Sequence, residues 1–318
     1  MKVIEHFKNS EKTIFSFEIL PPLKGKDINL IYEVIDPLME FEPKYLNITY
    51  HREEVVYKRH KSGLLEKKTV HKRPGTVAIA AAIKYKYHPV NVVPHIICGG
   101  FTREETENAL IDLHFLGIRN LLVLRGDPLA ADRAFIPEEG GHSNALDLIH
   151  QIQCLNKGFY LDEELENTTK MDFSIGVAGY PEKHIEAPNL ETDLFYLKKK
   201  IEAGAEYIVT QMFFDNKKYF DFVDLCRKNE INVPIIPGLK PISLIKHLNI
   251  LPSTFNIDIP EDLAKELRKC QTDKDARQVG IEWAIMQSKE LIQRKAPAVH
   301  YYTMGNADNI YKIAKAVF

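Results

Sequence analysis

The stretch Thr13-Ile-Phe-Ser-Phe-Glu-Ile-Leu20 is a short, mostly apolar run that ends at Pro21-Pro22. Its length and its aromatic and β-branched residues indicate a buried β-strand. Seven similar runs follow along the chain, at residues 45–50, 92–97, 120–125, 173–178, 207–213, 233–237 and 298–303. Short apolar runs between turn signals are typical of strands in a parallel sheet, which is buried on both faces.

Helical patterns separate these runs. Residues 103–116 carry apolar side chains at helical spacing, and Thr102 with Glu105 forms a capping-box pattern at their start. Residues 190–203 are followed by Gly204, a residue type that favours the end of a helix. Further helices are predicted over residues 216–228, 276–294 and 307–317.

Eight strands that alternate with helices over about 300 residues predict an α/β protein of the (β/α)8 TIM-barrel type. An open doubly wound sheet is the alternative, and the lack of a G-x-G-x-x-G motif after the first strand weakens it. The connection between residues 237 and 298 is long enough for two or three helices. No linker rich in Pro, Gly or Ser divides the chain, so residues 1–318 are predicted to form a single domain.

Composition excludes several classes of function. The chain has 42 Lys and Arg against 44 Asp and Glu, and this net charge of −2 argues against a general nucleic-acid or anionic-membrane binder. The start of the chain has no secretory signal, and the longest apolar stretch, residues 77–83, is too short to span a bilayer. The scattered cysteines favour reduced thiols in a cytoplasmic protein: Cys98, Cys154, Cys226 and Cys270.

Polar residues lie at nearly every predicted strand end, where the chemistry of such barrels collects. They include Glu18, Asn47, Thr49, Tyr50, His95, Arg125, Asp127, Tyr180, His184, Gln211, Tyr302 and Thr303. Taken alone, His95 fits a hydrogen-bonded core histidine, and Arg125 with Asp127 fits a surface turn as well as a site. Glu18 differs, because both faces of a barrel strand are covered and an unpaired buried carboxylate is costly or has a raised pKa. No metal, P-loop or G-x-S-x-G motif is found, so no metal is expected.

Taken in order, the strand-end motifs resemble those of one enzyme family. The motifs are Phe15-Ser-Phe-Glu-Ile-Leu-Pro-Pro22, Asn47-Ile-Thr-Tyr50, Pro94-His95, Leu124-Arg-Gly-Asp127, Ala178-Gly-Tyr-Pro-Glu-Lys-His184, Thr210-Gln-Met-Phe-Phe-Asp215, Ile236-Pro-Gly238 and Tyr301-Tyr-Thr303. From residue 13 to the end, the chain closely resembles the methylenetetrahydrofolate reductases, and its length matches the catalytic domain of bacterial members. The resemblance implies a flavoprotein barrel that reduces 5,10-methylenetetrahydrofolate to 5-methyltetrahydrofolate with NADH or NADPH, in one-carbon and methionine metabolism.

The resemblance also implies a mechanism and a set of site residues. Hydride would pass from the nicotinamide to non-covalent FAD and then to the folate, in a ping-pong sequence. Glu18 matches the catalytic glutamate, the general acid that opens the folate's imidazolidine ring, and Asp127 matches the aspartate beside flavin and pterin. Positions matching FAD contacts are Thr49, Tyr50, His95, Arg125, Gly126, Asp127, Ala145, Tyr180, His184, Ala187, Asp193 and Lys200. Positions expected to bind folate or nicotinamide are Glu18, Thr49, Asp127, Gln211, His247, Tyr302 and Asn306.

Three positions depart from the pattern of some family members: Asn144 in place of a tyrosine, Leu251 in place of a phenylalanine and Asn306 in place of an arginine. Because that arginine meets the nicotinamide or the folate tail, the glutamate tail of the folate is expected to be held by Lys240 or His247 instead. The charged loop at residues 51–68 has no assigned role beyond a surface excursion.

Other functions stay open at this point. A proline dehydrogenase-like barrel would share FAD but oxidise another substrate. A scaffold barrel without activity is a further alternative, and the presence of Glu18, Asp127 and Gln211 together argues against it. A lyase or aldolase would need a Schiff-base lysine, and the clear strand runs contain none. The choice between NADH and NADPH is open, and the family resemblance leads us to expect a homo-oligomer that binds small molecules.

Overall fold

The computed structural model describes residues 1–129, 132 and 134–318. The strands are β1 (Ile14–Ile19), β2 (Tyr45–Ile48), β3 (Glu54–Arg59), β4 (Leu65–Val70), β5 (Asn91–Ile97), β6 (Asn120–Leu124), β7 (Ser174–Gly179), β8 (Tyr207–Thr210), β9 (Ile235–Ile236), β10 (Gly238–Leu239) and β11 (Ala298–Tyr302). The α-helices are α1 (Val3–Asn9), α2 (Asn29–Leu38), α3 (Thr76–Lys86), α4 (Arg103–Phe115), α5 (Ala145–Lys157), α6 (Leu190–Glu202), α7 (Asn216–Lys228), α8 (His247–Phe255), α9 (Glu261–Lys269), α10 (Asp273–Gln293) and α11 (Asp308–Val317).

Nine strands form one parallel sheet in the order β10-β11-β1-β2-β5-β6-β7-β8-β9. β9 and β10 are the two halves of one broken strand, because Pro237 lies between them and cannot donate a ladder hydrogen bond. β9 pairs with β8 and β10 pairs with β11, so the halves join the two ends of the sheet. The predicted (β/α)8 TIM barrel is confirmed, and the alternative of an open doubly wound sheet is wrong.

The eight predicted strands are all present, with small changes at their ends. The sixth ends at Thr210, before the predicted Phe213, and the seventh resumes beyond Pro237 as β10. Lys240 therefore follows a strand end directly, which the shorter predicted run did not suggest. The long connection after β10 holds three helices, α8 to α10. None of the helices in the described part of the chain is both long and apolar enough to cross a membrane.

The capping box predicted at the start of α4 is present. The backbone N–H of Glu105 donates to Thr102 Oγ1 over 3.2 Å, and the backbone N–H of Thr102 donates to Glu105 Oε2 over 2.8 Å. Gly204, with φ of +112°, follows α6 where the left-handed conformation is needed.

The loop at residues 51–68 contains most of an antiparallel hairpin, β3 with β4, that the sequence analysis did not identify. Its strands are mostly exposed and carry charged residues on both faces, so the apolar alternation that marks a strand is weak. The base of the hairpin is anchored on the barrel, because Arg52 pairs with Glu138 at 2.9 Å and Arg73 donates to the carbonyl of Pro21.

The side chains of β1 alternate between two apolar layers. Phe15, Phe17 and Ile19 belong to the large layer between strands and helices, whereas Ile14 belongs to the smaller core inside the barrel. Ser16 and Glu18 share the inward face of the strand with Ile14, because side chains of a strand have a period of two. The alternation therefore points the one acidic side chain of β1 into the barrel.

Close packing inside the barrel depends on a glycine. Gly176 in β7 faces Tyr207 in β8, and a Cβ atom at this glycine would lie 2.3 Å from Tyr207 Cζ. Tyr207 is fully buried within the inner core, so its ring has little room to move aside.

We therefore expect Gly176→Ala to lower the free energy of unfolding by about 1–3 kcal/mol through overpacking. Urea denaturation would measure the change. Gly75→Ala is the matched control, because a Cβ at Gly75 would meet nothing within 4 Å, and its stability should stay close to wild type. Equal stability of the two variants would contradict the packing argument.

Candidate active site

Glu18 lies at the end of β1, inside the C-terminal mouth of the barrel, with 14% of its side chain exposed. His95 on β5 places Nε2 3.4 Å from Glu18 Oε2 and 3.3 Å from Asn47 Nδ2. Asn47 is the register partner of Glu18 on β2. Three neighbouring strands thus bring an acid, an imidazole and an amide into one polar group, as the strand-end residues of the sequence predicted.

Burial determines the protonation of this group. It raises the pKa of Glu18 to about 8 and lowers the pKa of His95 to about 3, because each side chain loses the hydration of its charged form. At neutral pH both groups are therefore uncharged, and their contact is not a salt bridge. At 3.4 Å it is also longer than a strong hydrogen bond, which leaves the acidic proton available to a ligand.

A neutral polar layer lies one step deeper in the barrel. Ser16 Oγ is 3.0 Å from His300 Nδ1, and the His300 ring stacks on Tyr45 at 6.3 Å between centroids. Burial lowers the pKa of His300 to about 3. The floor beneath Glu18 therefore supplies no cation that would stabilise its ionised form.

The wall opposite His95 carries Tyr302 and Gln211. Tyr302 on β11 is the register partner of Glu18, and its hydroxyl donates to the carbonyl of Thr210 over 2.6 Å. Gln211 follows β8, and its side-chain carbonyl accepts the N–H of Met212 at 2.9 Å. The amide NH2 of Gln211 has no hydrogen-bond partner among the described residues, so it can meet a ligand.

Two cations lie on the β6–β7 side of the mouth. Arg125 donates to both carboxylate oxygens of Glu186, at 2.7 Å to Oε1. Burial lowers the pKa of Lys200, Asp193 opposes this shift, and the positive charge of Arg125 adds to it. Lys200 therefore lies within electrostatic reach of both Asp193 and Arg125, so this side of the mouth can receive a ligand group with more than one negative charge.

The loop after β7 arranges three more of the predicted residues. The rings of Tyr180 and His184 meet edge to face at 4.7 Å, and the backbone N–H of His184 donates to Asp193 Oδ2 over 2.8 Å. The N–H of Ala187 closes the same loop on the carbonyl of His184 at 3.0 Å.

Asp127 is exposed in the loop after β6. Burial raises the pKa of Tyr180, and the negative charges of Asp193 and Asp127 raise it further. Burial and Arg73 lower the pKa of His51, whereas Asp127 opposes that shift. The carboxylate of Asp127 therefore lies within electrostatic reach of both sides of the mouth.

The remaining predicted cofactor positions surround the same opening. Thr49 donates to the carbonyl of Ile19 over 3.3 Å, and Tyr50 packs against Phe101 at 5.0 Å. Gly126 has φ of +89°, a conformation that favours glycine. Ala145 is the first residue of α5 and is buried.

Two of the predicted substrate residues lie farther out. His247 begins α8, where its Nδ1 accepts the N–H of Ser243 at 3.3 Å. Asn306 is exposed before α11, where its Oδ1 accepts the N–H of Asp308 at 2.8 Å, and it lines a cleft of about 590 Å³ with Pro21 and Arg73. The structure records no direct contact between Asn306 and the polar group around Glu18.

Sequence reasoning missed two charged residues of the mouth, Glu186 and Arg52. Glu186 lies two residues after His184 in an already identified motif, so its position was a usable signal. Arg52 is 14% exposed, and its Nε and Nη1 have no hydrogen-bond partner in the described part of the structure. Across residues 1–129, 132 and 134–318, three or more His, Cys, Asp or Glu side chains do not gather into a metal site.

Comparison with known proteins identifies the family. The family model described as methylenetetrahydrofolate reductase matches residues 2–317. The chain belongs to this family. The 5,10-methylenetetrahydrofolate reductase of Buchnera aphidicola subsp. Baizongia pistaciae is 31% identical over 313 residues, which are 98% of this chain and 94% of that protein. The resemblance inferred from the strand-end motifs is thus confirmed.

Longer relatives and a solved structure complete the comparison. Methylenetetrahydrofolate reductase (NADH) 1 of Arabidopsis thaliana is 32% identical over 317 residues, and the chain spans about half of its length, 48%. A Clostridium thermocellum protein that binds two copies of 5-methyl-5,6,7,8-tetrahydrofolic acid superposes with a TM-score of 0.59 at 16% identity, covering 98% of this chain and 97% of that one. This structural similarity shows a shared fold.

The raised pKa of Glu18 predicts how stability changes with pH. Because the folded-state value of about 8 lies above the ordinary 4.5, the folded protein retains this proton while the unfolded chain loses it. Wild type should therefore lose a few kcal/mol relative to Glu18→Gln as pH rises from 4.5 to about 8, with no further loss above. Thermal melts across this range would measure the difference, and the exposed Glu33→Gln serves as control. If the stability of wild type and of Glu18→Gln changed with pH in the same way, the raised pKa of Glu18 would be contradicted.

Proposed function

We propose that this protein reduces 5,10-methylenetetrahydrofolate to 5-methyltetrahydrofolate, with NADH or NADPH as reductant and FAD as bound cofactor, in a ping-pong sequence. The observation that carries the proposal is the buried Glu18 at the mouth of a barrel that belongs to the methylenetetrahydrofolate reductase family. Reduction of this folate needs a general acid that stays protonated near neutral pH, and burial gives Glu18 that property.

The mouth offers a suitable set of side chains for FAD. Arg125 and Lys200 can neutralise the pyrophosphate, because two cations within electrostatic reach of each other gain from a shared dianion. The rings of Tyr180 and His184 suit the ribityl or adenosine part of the cofactor. The positive φ of Gly126 allows close approach of the backbone after β6. When bound, FAD would take a hydride from the nicotinamide and supply it to the folate.

Glu18 would act at N10 of the folate. Transfer of its proton to N10 allows the bond between N10 and the bridging carbon to break, which leaves a 5-iminium cation that can accept hydride. His95 stays uncharged, so it does not supply a competing cation beside this ring. After the transfer the Glu18 carboxylate is ionised in a buried position, and the same desolvation favours its reprotonation for the next turnover.

Asp127 and Gln211 have complementary tasks in this proposal. The exposed carboxylate of Asp127 can stabilise the positive charge that develops on the iminium group. The amide of Gln211 both donates and accepts hydrogen bonds, which suits a site that receives nicotinamide and folate in turn. The uncommitted NH2 of Gln211 is the group available for these contacts.

Glu18→Gln tests the catalytic assignment directly. The amide keeps the shape of the acid but has no proton to give to N10, so we expect re-oxidation of the flavin by methylenetetrahydrofolate to slow by about 10²–10⁴-fold. Bleaching of the flavin by NADH or NADPH should slow far less. Stopped-flow absorbance of the yellow protein measures each half-reaction separately, with NADH and NADPH compared as donors.

Equal losses in both half-reactions would show that Glu18 is not the acid of the folate step. Glu33→Gln is the matched control, since it makes the same chemical change on the exposed surface of α2. Proline as reductant distinguishes this function from that of a proline dehydrogenase-like barrel. In such a protein, proline would bleach the flavin, and methylenetetrahydrofolate would not re-oxidise it.

Lys200→Met tests the proposed pyrophosphate site. Loss of this half-buried cation should weaken FAD binding by about ten- to a hundredfold, the range of a charge-assisted hydrogen bond. Titration of the apoprotein with FAD, followed by flavin fluorescence, measures the dissociation constant. Lys199→Met is the neighbouring control, because Lys199 pairs with Glu202 at 2.7 Å on the exposed side of α6. Equal affinities for the two variants would place the pyrophosphate elsewhere.

A further inference from the structure

Lys240 is a buried lysine without a counter-ion. Its exposed fraction is 8%, and no carboxylate of the described residues lies within 4.0 Å of its ammonium. The structure also records no hydrogen bond from this ammonium to the part of the chain that it describes. Arg125 and Arg52, by contrast, each pair with a carboxylate, and Arg73 donates to the carbonyl of Pro21.

The strand pattern determines where Lys240 points. An added Cβ at Gly238 would lie 2.5 Å from the Tyr302 hydroxyl, so Gly238 faces the inside of the barrel. Leu239 packs in the outer layer between strands and helices. Alternation then turns Lys240 inward again, at the end of β10. Continuing the register of β10 with β11, in which Leu239 pairs with Tyr301, places Lys240 beside Tyr302.

The surroundings of Lys240 are apolar on one side and polar on the other. Tyr302 packs against an apolar wall formed by the segment after β8 and by helices α8 to α10, which includes the buried Met212, Phe214 and Leu251. Burial, and then the positive charge of Lys240, lowers the pKa of His247 to about 4. Lys240 is therefore the neighbour of Tyr302, which borders this wall, and it lies within electrostatic reach of the His247 imidazole.

Burial lowers the pKa of Lys240 to about 8, so the side chain is still mainly protonated at neutral pH. A buried cation without a partner destabilises the folded state, and replacement by an apolar residue usually relieves this. Such a group is best explained by an anionic ligand that supplies the missing charge. Next to an apolar wall, the fitting ligand has an aromatic or apolar part followed by an anion.

We propose that Lys240 binds a carboxylate of the glutamyl group of the folate, with the benzoyl ring of the same ligand against the apolar wall. This assignment rests on the proposed function and names the part of the substrate that the β10 side of the mouth recognises. Lys240 is then a binding residue for the folate tail, distinct from the proton donor Glu18.

The test compares methylenetetrahydrofolate with the methylene derivative of tetrahydropteroate, which lacks the glutamate. In wild type the truncated substrate should have a KM about ten- to a hundredfold higher, as expected for loss of a charge-assisted contact. Lys240→Met should raise the KM of the complete substrate by a similar factor and abolish the difference between the two substrates. Lys240→Arg should restore part of the difference, because it returns a cation.

Three further measurements distinguish binding from a structural role. Lys240→Met should have a higher Tm than wild type, because the variant no longer buries an unpaired charge, whereas a purely structural lysine would give a lower Tm. Lys246→Met removes an exposed lysine six residues away and should leave the substrate preference intact. The KM for NADH should change less in Lys240→Met than the KM for the folate.

Several results would overturn the assignment. Equal KM values for the complete and truncated substrates in active wild type would show that the glutamate is not recognised here. A selective rise in the KM for NADH would assign Lys240 to a phosphate of the nucleotide. If Lys246→Met also lost the preference for the complete substrate, the preference would come from the overall positive charge of this region and not from Lys240. If the wild-type protein turned over neither folate, the proposed function itself would be wrong. If it turned over both with equal KM, only the assignment of Lys240 would be wrong.

Discussion

Burial of side chains inside the barrel is the constraint on which the rest of the site depends. It keeps Glu18 protonated, holds His95 and His300 uncharged, and leaves Lys240 as a cation without a partner. The closed sheet produces this burial, because the broken strand β9–β10 joins its two ends. An open sheet would admit water along its edge, and the acid at the end of β1 would then ionise at neutral pH.

The two sides of the mouth differ in the number of charged side chains that they carry. On the β6–β7 side, Arg125 and Lys200 lie beside Glu186 and Asp193, so charge is abundant and partly compensated. On the β1–β5 side, Glu18 and His95 are neutral and only one oxygen–nitrogen contact joins them. This division suits a cofactor whose phosphates need cations at one end and whose reacting ring needs an uncharged, dry environment at the other.

The fold and the centre of the site could be predicted from the sequence, because both depend on local patterns. Eight apolar runs define the barrel, and the alternation within β1 places Glu18 inside it. The hairpin β3–β4 was missed because its strands are polar on both faces. The ion pair of Arg125 with Glu186 and the isolation of Lys240 depend on which loops meet in three dimensions, and spacing along one chain does not contain that information.

The placement of Arg125 and Lys200 has a practical consequence for handling the protein. Phosphate or sulfate in a buffer would compete with the proposed pyrophosphate for Lys200, and with Glu186 for Arg125. Melting temperatures and cofactor occupancies measured in such buffers would then depend on the salt as much as on the chain. Buffers without multivalent anions give the cleaner reference state for comparing variants of this protein.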